Sequence, residues 1–197
     1  MKKNQPQKPK LPIMLDCETL ALDSKAALIE VALVPFDRWE WPHKLAVIDP
    51  RSYRKEDGFA IDIKTVEFHQ KQGTNILGKA ETIGVSWRTA AEDIIQFFNQ
   101  FRDYEIHLWC QGKDVDVPWL SNLLKSAGKT TPWHYRNTHC LRDLSQLYNT
   151  VPRAYHGDHT ALKDCQAQIK HIEDIAKTDR RVAEWVWGPE SIPTHCL

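Results

Sequence analysis

This sequence predicts an α/β domain, and two stretches carry the prediction. Residues 89–110 read as an amphipathic helix followed by a strand, which after earlier strand-like runs gives a strand, helix, strand succession. Residues 13–34 hold two apolar runs whose connection through Asp23-Ser24-Lys25 is so short that the second should return antiparallel to the first. A chain of 197 residues, 42% hydrophobic, can bury one substantial core. A single domain over residues 12–197 is therefore expected, behind a flexible basic tail at residues 1–11.

The first ten residues carry four lysines and no acid, which leaves 22 basic against 26 acidic residues in the remainder, a net of −4. That balance excludes a protein gripping long duplex through many phosphates. It suits a site of clustered carboxylates neutralised by divalent ions. No apolar run approaches the length of a membrane span, and the N-terminus lacks the apolar core of a signal peptide, so a soluble cytoplasmic protein with no membrane partner is expected. The five cysteines show no Cys-x-x-Cys pairing and are expected to be reduced, without a zinc site.

Taken in order, residues 13–19 are a short apolar run ending in acids, and residues 27–34 are β-branched and apolar. Residues 44–48 form a third strand, stopped by Asp49-Pro50. Residues 51–88 offer one helical hint, at 65–71; Phe68 and His69 there have the chemistry to stack on a base, though aromatics in such segments more often pack. Thr89-Ala-Ala-Glu92 is a capping box, and Ile94, Phe97, Phe98 and Phe101 continue it as a helix. Residues 105–110 are a strand, and Pro118 suits the first turn of a helix that Gly128 ends. Residues 138–148 read as a helix with Leu141, Leu144, Leu147 and Tyr148 inward. Leu162, Cys165, Ile169, Ile172 and Ala176 form the stripe of a long helix starting near His159, after a loop at 152–158. Val182, Trp185 and Val186 should pack back on the body, while His43, His107 and His139 read as solvent-facing.

The chemistry centres on Asp16 and Glu18. Side chains alternate along a strand, so the two carboxylates share a face, and burying them together costs several kcal/mol unless a cation lies between them. An isolated Asp-x-Glu is most often a solvated turn, so the case depends on the rest of the chain. Asp116 precedes Leu120, Leu123 and Leu124 at helical spacing and faces inward, whereas Asp114 lies off that stripe. Asp116 also reads as a helix N-cap, a role compatible with a site. Asp164 lies beside the last stripe. Inside one helix His159 would stand about 140° from it, so the two converge only if His159 sits on the preceding loop.

Asp16-x-Glu18, Asp116, and His159 five residues before Asp164 together resemble the DEDDh family of 3′–5′ exonucleases. Residues 109–120, 132–137 and 159–164 look most like its phage and bacterial branch, which includes phage exonuclease A, and the resemblance spans about residues 12–176. It implies a ribonuclease H-like fold, a central mixed sheet flanked by helices. It also implies hydrolysis of nucleoside 5′-monophosphates from a DNA or RNA 3′ end with two divalent ions, Mg²⁺ or Mn²⁺. By that resemblance Asp16 would bridge the ions, Glu18 and Asp164 would complete the nucleophile side, and Asp116 would serve the leaving-group side. His159 would take the proton from water. Thr19 and Leu20 would seat the terminal nucleotide, with Leu20 equally readable as core. Where that branch tends to carry paired tryptophans this chain has Phe68-His69, with Gln72 kept, which defines a further candidate substrate contact. The resemblance leaves oligomeric state open, a homodimer included, and suits a bacterial or phage-related source. Two rivals share the fold: a non-catalytic nucleic-acid-binding module, and a metal-dependent endonuclease or small-phosphoester hydrolase.

Overall fold

The computed structural model describes residues 8–36, 42–153 and 160–196. Its strands are β1 (Lys10–Thr19), β2 (Leu28–Pro35), β3 (Lys44–Val47), β4 (Glu105–Cys110) and β5 (Thr138–Cys140). They form one sheet in the order β3-β2-β1-β4-β5. The two hairpin pairs, β1 with β2 and β2 with β3, are antiparallel, while β1 with β4 and β4 with β5 are parallel. The sheet is thus mixed, because short links return the chain at one edge and helical crossovers carry it to the other. The helices are α1 (Ile63–Lys71), α2 (Ile76–Ile83), α3 (Trp87–Asn99), α4 (Asp116–Ser126), α5 (Leu141–Leu147), α6 (Ala161–Thr178) and α7 (Arg180–Trp187).

Helices cover both faces, which is why β1 and β2 read as nearly continuous apolar runs. Leu11, Ile13, Leu15 and Cys17 pack with Trp87, Ile94, Phe97 and Phe98 of α3 and Leu120, Leu123 and Leu124 of α4. Met14, Ala32, Val34 and Trp109 pack on the other face against Cys165, Ile169 and Ile172 of α6 and Val182 and Val186 of α7. Each buried side chain of leucine size contributes roughly 1.5–3 kcal/mol, so these two layers hold the sheet between its helices. Alternation then fixes the site: Asp16 and Glu18 continue the Met14 face and look toward α6.

Several expectations need correction. Lys10 and Leu11, assigned to the tail, belong to β1, where they pair with Glu105 and Ile106 and Leu11 is fully buried. The cap of α3 is Ser86, whose hydroxyl accepts the Thr89 N–H at 3.1 Å; the earlier start buries Trp87. Residues 138–140 are a strand, because the open edge of β4 offers them a parallel ladder. Leu147 is 80% exposed at the last residue of α5. His107 and His139 stand on adjacent strands with rings stacked 5.2 Å apart, and burial pushes both below the ordinary histidine range, His139 to about 4. Trp185 stays half-exposed but sets its ring edge-on against Trp109 at 4.8 Å, while Val182 and Val186 are buried as expected.

Candidate active site

At the end of β1 the pairing register with β2 slips between Glu18 and Thr19, after Glu18 has stood directly opposite Glu30. Such an irregularity turns the chain and re-aims the side chains that follow. Asp164, in the first turn of α6 and buried, meets the strand acids from above. One ligand atom from each of Asp16, Glu18 and Asp164 lies within 4.8 Å of the others. Asp116 opens α4 and is likewise buried, its carboxylate accepting the backbone N–H groups of Gly112 and Cys17. It is the first residue of the helix and not its cap, which is Val115 without a side-chain cap bond, and its charge bears on Asp16, while Asp114 is exposed.

The electrostatics are those of acids crowded without enough positive charge. Burial pushes Asp16 well above the ordinary carboxylate range, and the charges of Asp116, Asp164 and Glu18 push it further. Burial followed by Asp164 and Glu30 raises Glu18 to about 7. Asp116 also reaches about 7 through burial, against the pull of its N–H donors and of Arg142. One neutral group opposes the trend: Gln168, one turn beyond Asp164, donates its Nε2–H to Asp16 Oδ1 at 2.8 Å.

Beside the acids opens a cleft of about 490 Å³, lined among others by Glu18, Thr19, Leu22, Lys64, Phe68 and Trp119. Phe68 presents a 45% exposed ring there. His69 also borders the cleft but is buried, with Nε2 2.7 Å from the Thr19 carbonyl oxygen, so it ties α1 to the end of β1 and offers no open face for stacking. Thr19 is buried and its hydroxyl donates to the Ala21 carbonyl at 2.7 Å. Leu20, offered by the sequence as a wedge, is buried with Ala27 and Ile29 beneath Ile76 and Ala80 of α2; it is core. Gln72 caps the end of α1 and does not line the cleft. His159 lies outside the described residues.

Sequence reasoning missed Leu22, Trp119, Gln168 and Glu30. Leu22 is 82% exposed at the cleft mouth, and Trp119 is fixed there by donating Nε1–H to the Asp23 carbonyl at 2.7 Å. The signal for Gln168 was its spacing of four from Asp164, which places both on one helix face. For Glu30 it was a lone acid inside an apolar strand.

A family model described as the 3'-5' exoribonuclease Rv2179c-like domain matches residues 12–176. The chain belongs to this family. It carries a 3′–5′ exonuclease domain on a ribonuclease H-like fold. The zinc-bound complex of Escherichia coli exonuclease I with single-stranded DNA superposes with a TM-score of 0.67 at 13% identity, over 90% of this chain and 43% of that one. The Mg²⁺- and Mn²⁺-bound form of S. pombe Pop2p gives 0.56 at 12% identity, over 91% and 88%. Cell-death related nuclease 4 gives 0.50 at 14%, over 89% and 66%. This Rv2179c-like chain thus spans less than half the length of the exonuclease I chain it matches. No curated protein matches it in sequence.

Proposed function

We propose that this protein removes nucleoside 5′-monophosphates one at a time from the 3′ end of a single-stranded nucleic acid, with RNA as the preferred strand. The carrying observation is the group of three carboxylates within 4.8 Å at the end of β1, in a 3′–5′ exonuclease domain. RNA follows the description of the family; the bound single-stranded DNA belongs to exonuclease I. The closer kinship to the phage and bacterial branch, and a cytoplasmic setting, form part of the same proposal.

The donor set fits hard divalent cations: the clustered ligands are carboxylate oxygens, and the raised proton affinity of Asp16 and Glu18 marks negative charge that a cation would relieve. Asp16, Glu18 and Asp164 would hold Mg²⁺ or Mn²⁺, with Asp116 serving a second ion through water. Such a pair, when bound, activates water and neutralises charge building at phosphorus. The remaining work falls to the chain. His159 accepts the proton of the attacking water at a ring nitrogen, the kind of work for which an imidazole is suited near neutral pH. Phe68 and Leu22 wall the cleft where the terminal base lies, and Lys64 supplies a cation for the strand's phosphates.

Digestion of 5′-labelled RNA and DNA oligonucleotides, single- and double-stranded, with Mg²⁺ or Mn²⁺ tests this reading. A ladder shortening from the 3′ end, faster on single-stranded RNA, is expected. Cleavage of a circular single strand would point to the endonuclease, and binding without hydrolysis under Mn²⁺ to the non-catalytic module.

A further inference from the structure

Glu30 is a carboxylate that the catalytic scheme does not use. It is 1% exposed, in the middle of an apolar strand, and stands opposite Glu18 on the same face of the sheet. Burying such a group is costly unless its oxygens are satisfied, and both are. Oε1 takes Lys79 Nζ of α2 at 2.6 Å, and Oε2 accepts the Ala161 N–H at 3.2 Å, across 131 residues of sequence.

That second contact lies at the first residue of α6. The helix has Thr160 as its N-cap residue, yet Thr160 makes no side-chain cap hydrogen bond, and its Oγ1 is buried with no partner among the described residues. The N–H of the first helical residue, one of the orphan donors that a cap side chain leaves to others, is met by a strand residue. A carboxylate there also complements the positive end of the helix. Asp164 stands in the turn that begins at this capped residue. A shift of the first turn therefore moves Asp164 relative to Asp16 and Glu18.

We propose that Glu30, held by Lys79, is a positioning residue: it caps α6 from the sheet and so fixes Asp164 at the distance from Asp16 and Glu18 that a divalent cation requires. The assignment of the cation rests on the reading above. With both oxygens engaged, and with Glu30 outside the group of three acids, it positions Asp164 through α6, in addition to the charge it sets opposite Glu18. Lys79 has a second consequence. It ties the α1 and α2 segment, which bears the Phe68 wall of the cleft, to the strand that carries the cap.

The test compares Glu30→Met, Lys79→Met and the double variant; methionine at 30 is used because glutamine would still offer an amide oxygen to the Ala161 N–H. Lys79→Met alone strands a buried carboxylate and should be the least stable. Replacing both partners with neutral groups removes that penalty, so the double variant should recover thermal stability close to wild type. A residue that merely stabilised the fold would then leave everything else restored. A positioning residue leaves two defects in the stable double variant: faster amide hydrogen exchange in the first turn of α6, and Mn²⁺ affinity, titrated on metal-free protein, weaker by roughly 10–100-fold. Exonuclease kcat should fall with the metal affinity, while KM for the oligonucleotide changes little. Wild-type exchange at Ala161 together with wild-type Mn²⁺ affinity in the double variant would overturn the proposal. Exchange and Mn²⁺ binding need no substrate, so a wild-type protein that fails to shorten 3′ ends would count against the exonuclease reading and leave this test standing.

Discussion

The two ends of α6 hold acids in opposite conditions. Near its start, Asp164 joins Asp16 and Glu18 in a group in which Asp16 and Glu18 are pushed toward protonation. Near its finish, burial works against Asp174, yet Lys170 and Lys177 hold it below its ordinary range, and Asp179 is held lower still by hydrogen bonds from Arg181 and Tyr148. One helix thus carries acids with cationic partners at one end and acids crowded against each other at the other. Folding alone gains nothing from the second arrangement. The proposed function supplies a reason for it, since strongly shifted titration of clustered acids is a mark of functional sites and a divalent cation would relieve it.

The sharpest way to break the contrast is to neutralise one crowded acid. Asp16→Asn should abolish turnover, while thermal stability in a chelator holds or rises because repulsion among buried acids is relieved. Normal Mg²⁺-dependent activity in that variant would remove β1 as the metal platform. Asp116→Asn should likewise lose activity by orders of magnitude, and Asp114→Asn, changing an exposed side chain two residues away, should lose little; single-turnover cleavage of a 3′-terminal nucleotide ranks them. The reverse order would mean that Asp114 faces the site.

His159→Ala should slow the chemical step by about 10²–10⁴-fold, the usual contribution of a positioned general base. Mn²⁺ binding and oligonucleotide affinity, measured with Ca²⁺, should hold. The wild-type single-turnover rate should rise with pH through a limb that the variant lacks. An unchanged limb, or a loss explained by weaker binding, would take His159 out of the mechanism.

The smallest effect is on stability, and its sign differs between the helix ends. Glu18 and Asp116 sit at about 7 in the folded protein, above the ordinary carboxylate value of roughly 4. A group raised by folding contributes fully below its unfolded value and loses that contribution as pH rises through its folded one. The metal-free protein should therefore lose stability as pH climbs between those values, and added Mn²⁺ should reduce the loss. Asp174 and Asp179 are lowered by folding, so their contribution is present above the unfolded value and fades as pH falls through the folded one. Melting curves in a chelator across pH should show Glu18→Gln flattening the upper slope and Asp179→Asn softening the acid one. A wild-type profile with no upper slope would mean that the crowded acids are compensated after all.

Much of this was legible because burial follows period. The strand at residues 105–110 and the stripe of α6 needed only alternation and three-four spacing, and the phase of Asp116 against Leu120 and Leu123 placed it at the site. What escaped has a common cause: its structure is decided by a partner far away in sequence. The three residues of β5 are a strand only beside β4, and their neighbours Leu141 and Leu144 extended a helical pattern back over them. Leu20 could not be known as core while α2, in a stretch of weak periodicity, went unread. Glu30 looked like an interruption in an apolar run because its cap lies on α6.

The hydrogen bond between Asp16 and Gln168 spans 152 residues, and the contact between Glu30 and Ala161 spans 131. Contacts of such range form late, since the loops they close carry the largest entropic cost. A chain leaving the ribosome has most of its sheet available before α6 emerges, yet Asp164 and Gln168 are both still missing from it. On the proposed role of Asp164, the protein would consequently be inert through most of its own synthesis. Degradative chemistry would become competent only when the last long helix docks, which would keep half-made copies from attacking the nucleic acid around them.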